Sequence, residues 1–256
     1  MSSLTMIIIL GVVGAYVGAV ADRFSYWFHV SRAMLWRKHC PKCFTFQGWS
    51  TYLPIFGFVV RRGVCIMCKQ QLPIAPLVAE CAGALALIYS YGAVFGFTAV
   101  PISLGWINAA LIVVAVGGML VLSISDLVYD EVPFAAYLVT LGALLARLLF
   151  FSDLTTFVFS VFAGILGGFF MSLLVIVSRW RWVHAHDILF GILIGIIVGW
   201  QTLFITFALA YLFAILGGLL QWGWGVRTFK GASSYGLYLF VALGAQAALQ
   251  LVALAV

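Results

Sequence analysis

Apolar residues run along this chain in eight long blocks, read with a window of about 19 residues. They extend from Leu4 to Val20, Ile74 to Phe97, Trp106 to Ser125, Phe134 to Phe151, Leu154 to Val177, Ile188 to Trp200, Leu203 to Trp222 and Tyr235 to Val256. A helix needs about 20 such residues to cross a bilayer core. The sixth block is short, and only the weak break at Gly199, Trp200 and Gln201 parts it from the seventh. A single long polar stretch, residues 23–73, interrupts the series. The pattern predicts an all-α integral membrane protein of about eight transmembrane helices. It divides into a first helix (1–22), a small cytoplasmic module between helices 1 and 2 (23–73) and a transmembrane domain of about seven helices (74–256).

Composition strengthens this expectation. Hydrophobic residues make up 65% of the chain and charged residues 8%, whereas a soluble domain carries about 25% charge. A net charge of +6 could indicate nucleic acid, but in so apolar a chain basic residues set topology and meet lipid headgroups. No nucleic-acid partner is expected. Eight of the thirteen basic residues lie between Arg23 and Lys69, which places that stretch in the cytosol. With eight spans, Arg179, Arg181, Arg227 and Lys230 follow it there, and only Arg147 points to the other side, snorkelling from a helix end. Met1 to Met6 contain no basic residue, so no cleavable secretory signal is expected. Trp180, Trp182, Trp222 and Trp224 suit a cytoplasmic aromatic belt. Gly164 with Gly168, and Gly191 with Gly195, have the GxxxG spacing of close helix packing in lipid.

The cytosol is reducing, so cysteines there bind metal more readily than they pair. Cys40-Pro-Lys-Cys43 is followed after 21 residues by Cys65-Ile-Met-Cys68. Two such knuckles can fold together and offer four thiolates to a structural Zn2+. Free thiols or a redox pair are the alternatives. A module this poor in large aliphatics needs such a clip for stability. Gly63 suits a tight turn, His39 reads as solvated, and Cys81 reads as a small buried side chain.

Acidic residues number seven, and ionisable groups at membrane depth tend to mark function. Asp126 closes the third block and Asp187 opens the sixth. Singly, Asp126 could be an interfacial polar residue and Asp187 a helix N-cap. Together they suggest an aspartic dyad. Asp130 and Glu131 fall in the following loop, where they could attract a basic peptide. Glu80 could pair with a basic residue or meet substrate.

Asp126 to Pro133, in the form D-x6-P with Val132 before the proline, resembles the first catalytic motif of the type IV prepilin peptidases. Asp187 stands where that family has the aspartate of G-x-G-D. Other blocks agree in order: Gly14 to Val17 with Arg23, the double CxxC, Pro76 to Glu80, and Ser234 to Gly236 with Leu243 and Gly244. The resemblance implies a prokaryotic inner-membrane endopeptidase with a cytosol-facing site. It would cleave the basic leader of prepilin or pseudopilin precursors through Asp126 and Asp187. It also allows N-methylation of the new amino terminus with S-adenosylmethionine. The chain departs from the pattern at His184 and His186, which replace both glycines, and at Leu189, which replaces a lysine. The rings could be solvated at the interface, or could join the aspartates in a metal site. Two other functions stay open. One is a catalytically impaired relative that binds precursors or assembly partners. The other is a small transporter using His184, His186 and Asp187.

Overall fold

The computed structural model describes residues 3–29, 40, 43, 45, 55–60, 63–65, 67–71, 75–95, 102–129, 131–179 and 183–223. The eighth expected span, Asp130, His39, Arg181, Arg227, Lys230, Trp180, Trp182 and Trp224 lie outside these residues. Among the described residues eight helices appear in order: α1 (Ser3–His29), α2 (Phe56–Val60), α3 (Ala75–Phe95), α4 (Ile102–Tyr129), α5 (Phe134–Phe151), α6 (Leu154–Ser178), α7 (Asp187–Val198) and α8 (Trp200–Gly223). Among the described residues the only extended pairing is a single antiparallel bridge between Val64 and Gln71. Seven of the expected apolar blocks are therefore helices. α1 continues through Arg23 to His29, nine residues past the apolar block.

Among the described residues four helices are long and apolar enough to cross a membrane: Ile7–His29, Gly105–Tyr129, Phe134–Phe151 and Leu154–Ser178. Shorter apolar segments lie at Pro76–Ile88, Asp187–Val198 and Trp200–Leu216. Large apolar side chains such as Leu154 (77% exposed) and Val177 (78%) lie open on the helix surfaces. A soluble protein rarely exposes such patches, whereas lipid accepts them, and the chain is a multi-pass membrane protein. Hydroxyls inside the helices turn back onto the preceding turn, as Thr140 to the Ala136 carbonyl at 2.7 Å and Thr206 to that of Thr202 at 3.0 Å. Without water, internal acceptors are what such groups have.

The chain divides into two compact units, Met1–Ile124 and Ser125–Val256. In the first, α1 packs on α3 through small residues. A Cβ on Gly14 would come within 2.7 Å of Ala84 Cα, and one on Gly83 within 2.8 Å of Gly18 N. On α3 this turns Ala79, Glu80, Gly83 and Leu87 inward. Cys81 lies on the opposite face and is exposed, not buried as expected.

The second unit is built on α6 and α7, which meet along glycines. A Cβ on Gly191 would stand 2.7 Å from the Gly167 carbonyl oxygen, and one on Gly168 would stand 2.7 Å from Ile192. Phe170 stacks on Phe207 at 5.1 Å, and Phe190, Leu193 and Ile194 on α7 are fully buried. Gly199, at φ +74°, ends α7 with its N–H on the Gly195 carbonyl at 2.9 Å, and α8 starts at Trp200. The weak break between the sixth and seventh blocks is thus real. It leaves α7 only 12 residues long, a rise of about 18 Å against a core of roughly 30 Å.

Candidate functional site

Two clusters of chemically active side chains stand out, one in each unit. In the first unit the short helix α2 and the loop after it form the scaffold. Gly63 adopts φ +66°, and its N–H returns to the Phe58 carbonyl at 3.0 Å. This turn leads into the second knuckle, where Cys65 N–H reaches the Gln70 carbonyl at 2.9 Å and Lys69 N–H reaches that of Cys65 at 3.1 Å. At the first knuckle, Cys40 N–H donates to the Thr45 carbonyl at 3.1 Å. These bonds hold the backbone of the two knuckles where their thiols converge.

The four sulfurs lie within 4.8 Å of one another. Cys40 Sγ to Cys68 Sγ and Cys43 Sγ to Cys65 Sγ are both 3.7 Å. A disulfide needs about 2.05 Å, and all four cysteines are free thiols. With Zn–S bonds of about 2.3 Å, a tetrahedral site has sulfur-to-sulfur edges of about 3.8 Å. The cluster could therefore hold a zinc ion. Its electrostatics agree with that need. The Thr45 hydroxyl, 2.9 Å from Cys43 Sγ, and a backbone hydrogen bond at Thr45 hold the Cys43 thiol below its ordinary range. Cys68 has a favourable backbone hydrogen bond at Gln70, yet desolvation and the three neighbouring thiols push it up to about 12. Four thiolates cannot crowd together without a cation, and a divalent ion removes the conflict.

Glu80 belongs to this same unit. It is 2% exposed, and its Oε2 accepts the Ile55 backbone N–H at 2.6 Å. Ile55 has φ +62°, a left-handed conformation that an isoleucine rarely adopts. The carboxylate thus fixes the strained residue that launches α2. Nothing local in the sequence signals this bond, because its partners are 25 residues apart.

In the second unit, Asp126 lies one turn before the end of α4 and Asp187 is the first residue of α7. Both are buried, at 3% and 1% exposure. Asp187 is held by a reciprocal turn. Its N–H donates to the His184 carbonyl at 3.1 Å, and its Oδ2 accepts the His184 N–H at 2.7 Å. It is the first helical residue of α7, and His186 holds the N-cap position. The His184 and His186 rings stack, 5.1 Å apart and 16° from parallel. Nε2 of His186 lies 2.8 Å from Asp126 Oδ1, joining residues 60 positions apart in sequence.

His184, His186 and Asp187 each offer a ligand atom within 4.8 Å of the other two. The solvated reading of the rings therefore gives way to one in which both are half-buried and engaged. Sequence reasoning found all four residues but not the Asp126–His186 bond. Glu131 is exposed after α4.

Residues 8–94 match the family model of the bacterial peptidase A24 N-terminal domain. No curated protein and no solved structure matches the chain. The matched stretch carries nearly all of α1, the four cysteines and α3 almost to its end, and it stops before either aspartate. Over that stretch, about a third of its length, the chain is similar to the N-terminal domain of the bacterial A24 peptidases.

Proposed function

We propose that the chain is a membrane aspartic endopeptidase that removes basic leaders from prepilin-like precursors, with Asp126 and Asp187 as its dyad. The observation that carries this reading is the burial of both carboxylates within one unit, linked through the Asp126–His186 contact. The likeness of residues 8–94 to a peptidase N-terminal domain supports the reaction class. In such a dyad one carboxylate takes a proton from the attacking water. The other, protonated, polarises the scissile carbonyl and then gives its proton to the leaving amine. Two carboxylates sharing one proton can exchange these roles between the two halves of the cycle.

The remaining residues fit around that chemistry. Zinc at Cys40, Cys43, Cys65 and Cys68 is structural, because a closed four-thiolate site leaves no position for substrate. Glu80 serves the same module from α3. Asp130 and Glu131, following Asp126, supply negative charge for a basic leader arriving from the cytosol, the side to which the basic loops assign this end of α4. Cleavage is the part of the reading that the two aspartates support. Methylation with S-adenosylmethionine rests on the family resemblance alone.

One observation favours a second reading. His186 occupies an oxygen of Asp126, as would suit a relative that binds precursors without cleaving them. Cleavage of a leader-bearing precursor by protein reconstituted in lipid separates the two. The peptidase reading expects turnover by the wild type and a fall on the order of 10²- to 10⁴-fold in Asp126→Asn or Asp187→Asn. Precursor binding without turnover by the wild type would establish the second reading.

A further inference from the structure

We propose that His184, His186 and Asp187 form a second metal site, for a borderline divalent cation such as Zn2+, with Asp126 orienting His186 from outside the coordination sphere. Two imidazoles and one carboxylate are the donor set that zinc takes when it keeps a fourth position open. Here the three come from one tight turn at the start of α7, which the reciprocal His184–Asp187 backbone bonds close. Their ligand atoms already lie within 4.8 Å of one another. Metal bonds of about 2.0–2.1 Å would draw them in to roughly 3.4 Å, a movement that rotation of two half-buried rings can supply.

The contact with Asp126 fits the arrangement. A carboxylate 2.8 Å from His186 Nε2 favours the tautomer in which Nε2–H donates to it, which would leave the lone pair on Nδ1 for the metal. Ligating histidines characteristically place their other nitrogen on such a carboxylate. The turn, the ring stack and this bond thus give each of the four residues one part in the site. The cation would also compensate a carboxylate that is 1% exposed at the end of an apolar helix.

Occupancy commits the Asp187 carboxylate to the ion. On the reading of Asp187 as half of the dyad, and only on that reading, the metal switches cleavage off.

The test is the metal content of tag-free full-length protein, purified in detergent and equilibrated with Zn2+. The wild type should hold two equivalents, and His184→Ala and His186→Gly one each. The equivalent that remains, in the cysteine cluster, reports that the variants are folded. Asp126→Ala should bind its second equivalent about 10- to 100-fold more weakly in chelator competition. With Co2+ as probe, the second equivalent in the wild type should add visible bands without sulfur charge transfer, a check that needs no variant. One equivalent in the wild type, two retained in both histidine variants, or a second Co2+ spectrum dominated by sulfur would each overturn the site. If two equivalents bind but cleavage is indifferent to the second, the metal site stands and the dyad reading fails.

Discussion

The two clusters differ in the kind of groups they bring together. In the N-terminal unit four like groups converge, with sulfurs 3.7 Å apart in two pairs. As thiolates they would repel one another, and, against a backbone hydrogen bond at Gln70, desolvation and its three neighbours push one thiol up to about 12. In the C-terminal unit unlike groups converge, and an imidazole meets a carboxylate at 2.8 Å. The first arrangement could be held together by a cation, while the second has a hydrogen bond of its own. On the proposed reading the first is a closed structural site and the second a site free to exchange partners. The comparison suggests why chemistry should be sought at Asp126 and Asp187 and support at the cysteines.

The scaffolds differ in the same sense. The cysteine cluster hangs on a short helix and turns, so removal of one ligand should collapse it. Cys65→Ser should reduce tightly bound zinc at this cluster from one equivalent nearly to none, and the N-terminal module should become protease-sensitive. Retention of that equivalent would contradict the structural role. The second cluster is placed by helix packing. Gly191 lies one turn into α7 from Asp187, and a Cβ there would sit 2.5 Å from Met171 Cγ and 2.7 Å from the Gly167 carbonyl. Gly191→Leu should therefore destabilise the C-terminal unit by about 1–3 kcal/mol or more and depress cleavage, while leaving zinc in the cysteine cluster untouched. Thermal unfolding in detergent and zinc analysis of the same sample measure both sides of that contrast.

Smaller changes refine it. His186→Gly frees the Asp126 oxygen from a hydrogen bond, which to a charged group is worth about 1.5 kcal/mol or more. Cleavage should rise, by up to about tenfold. A tenfold fall would make the imidazole part of the machinery. Asp153→Ala should have the least effect. Asp153 caps α6 through the Thr156 N–H at 3.1 Å and hydroxyl at 2.7 Å, and the Thr156 hydroxyl and N–H hold its carboxyl below the usual range. A lowered value adds stability above the unfolded value of about 3.9 and loses it as pH falls through the folded one. The variant should unfold slightly earlier than the wild type at neutral pH, and the two curves should converge in acid below about pH 4. A constant gap across that range would remove the cap from the account.

How much of this was legible beforehand follows the range of the interactions. Helix positions were, because composition alone drives apolar blocks into helices in lipid, down to the break at Gly199. So was the four-cysteine cluster, whose ligands are set by local spacing, and the turn at Gly63. Asp126 and Asp187 were legible as candidates because acidic residues are so scarce. Their surroundings were not. The Asp126–His186 bond spans 60 residues and the Glu80–Ile55 bond spans 25, and no periodicity encodes either. Cys81 was misread as buried because α3 packs through the face of Ala79 and Gly83, which composition does not reveal. Thr45, two residues past Cys43, is a partner that the sequence offered and that the spacing argument passed over.

The central claim is that Asp126 and Asp187 work as one unit. The most direct measurement is the single-turnover cleavage rate of a leader-bearing precursor by the wild type, Asp126→Asn, Asp187→Asn and the double variant, each reconstituted in lipid. If one water needs both carboxylates, either single change should cost almost as much as both together. The account predicts that all three variants share one residual rate, on the order of 10²- to 10⁴-fold below the wild type. Near wild-type cleavage by either single variant, or losses that multiply in the double variant, would contradict it.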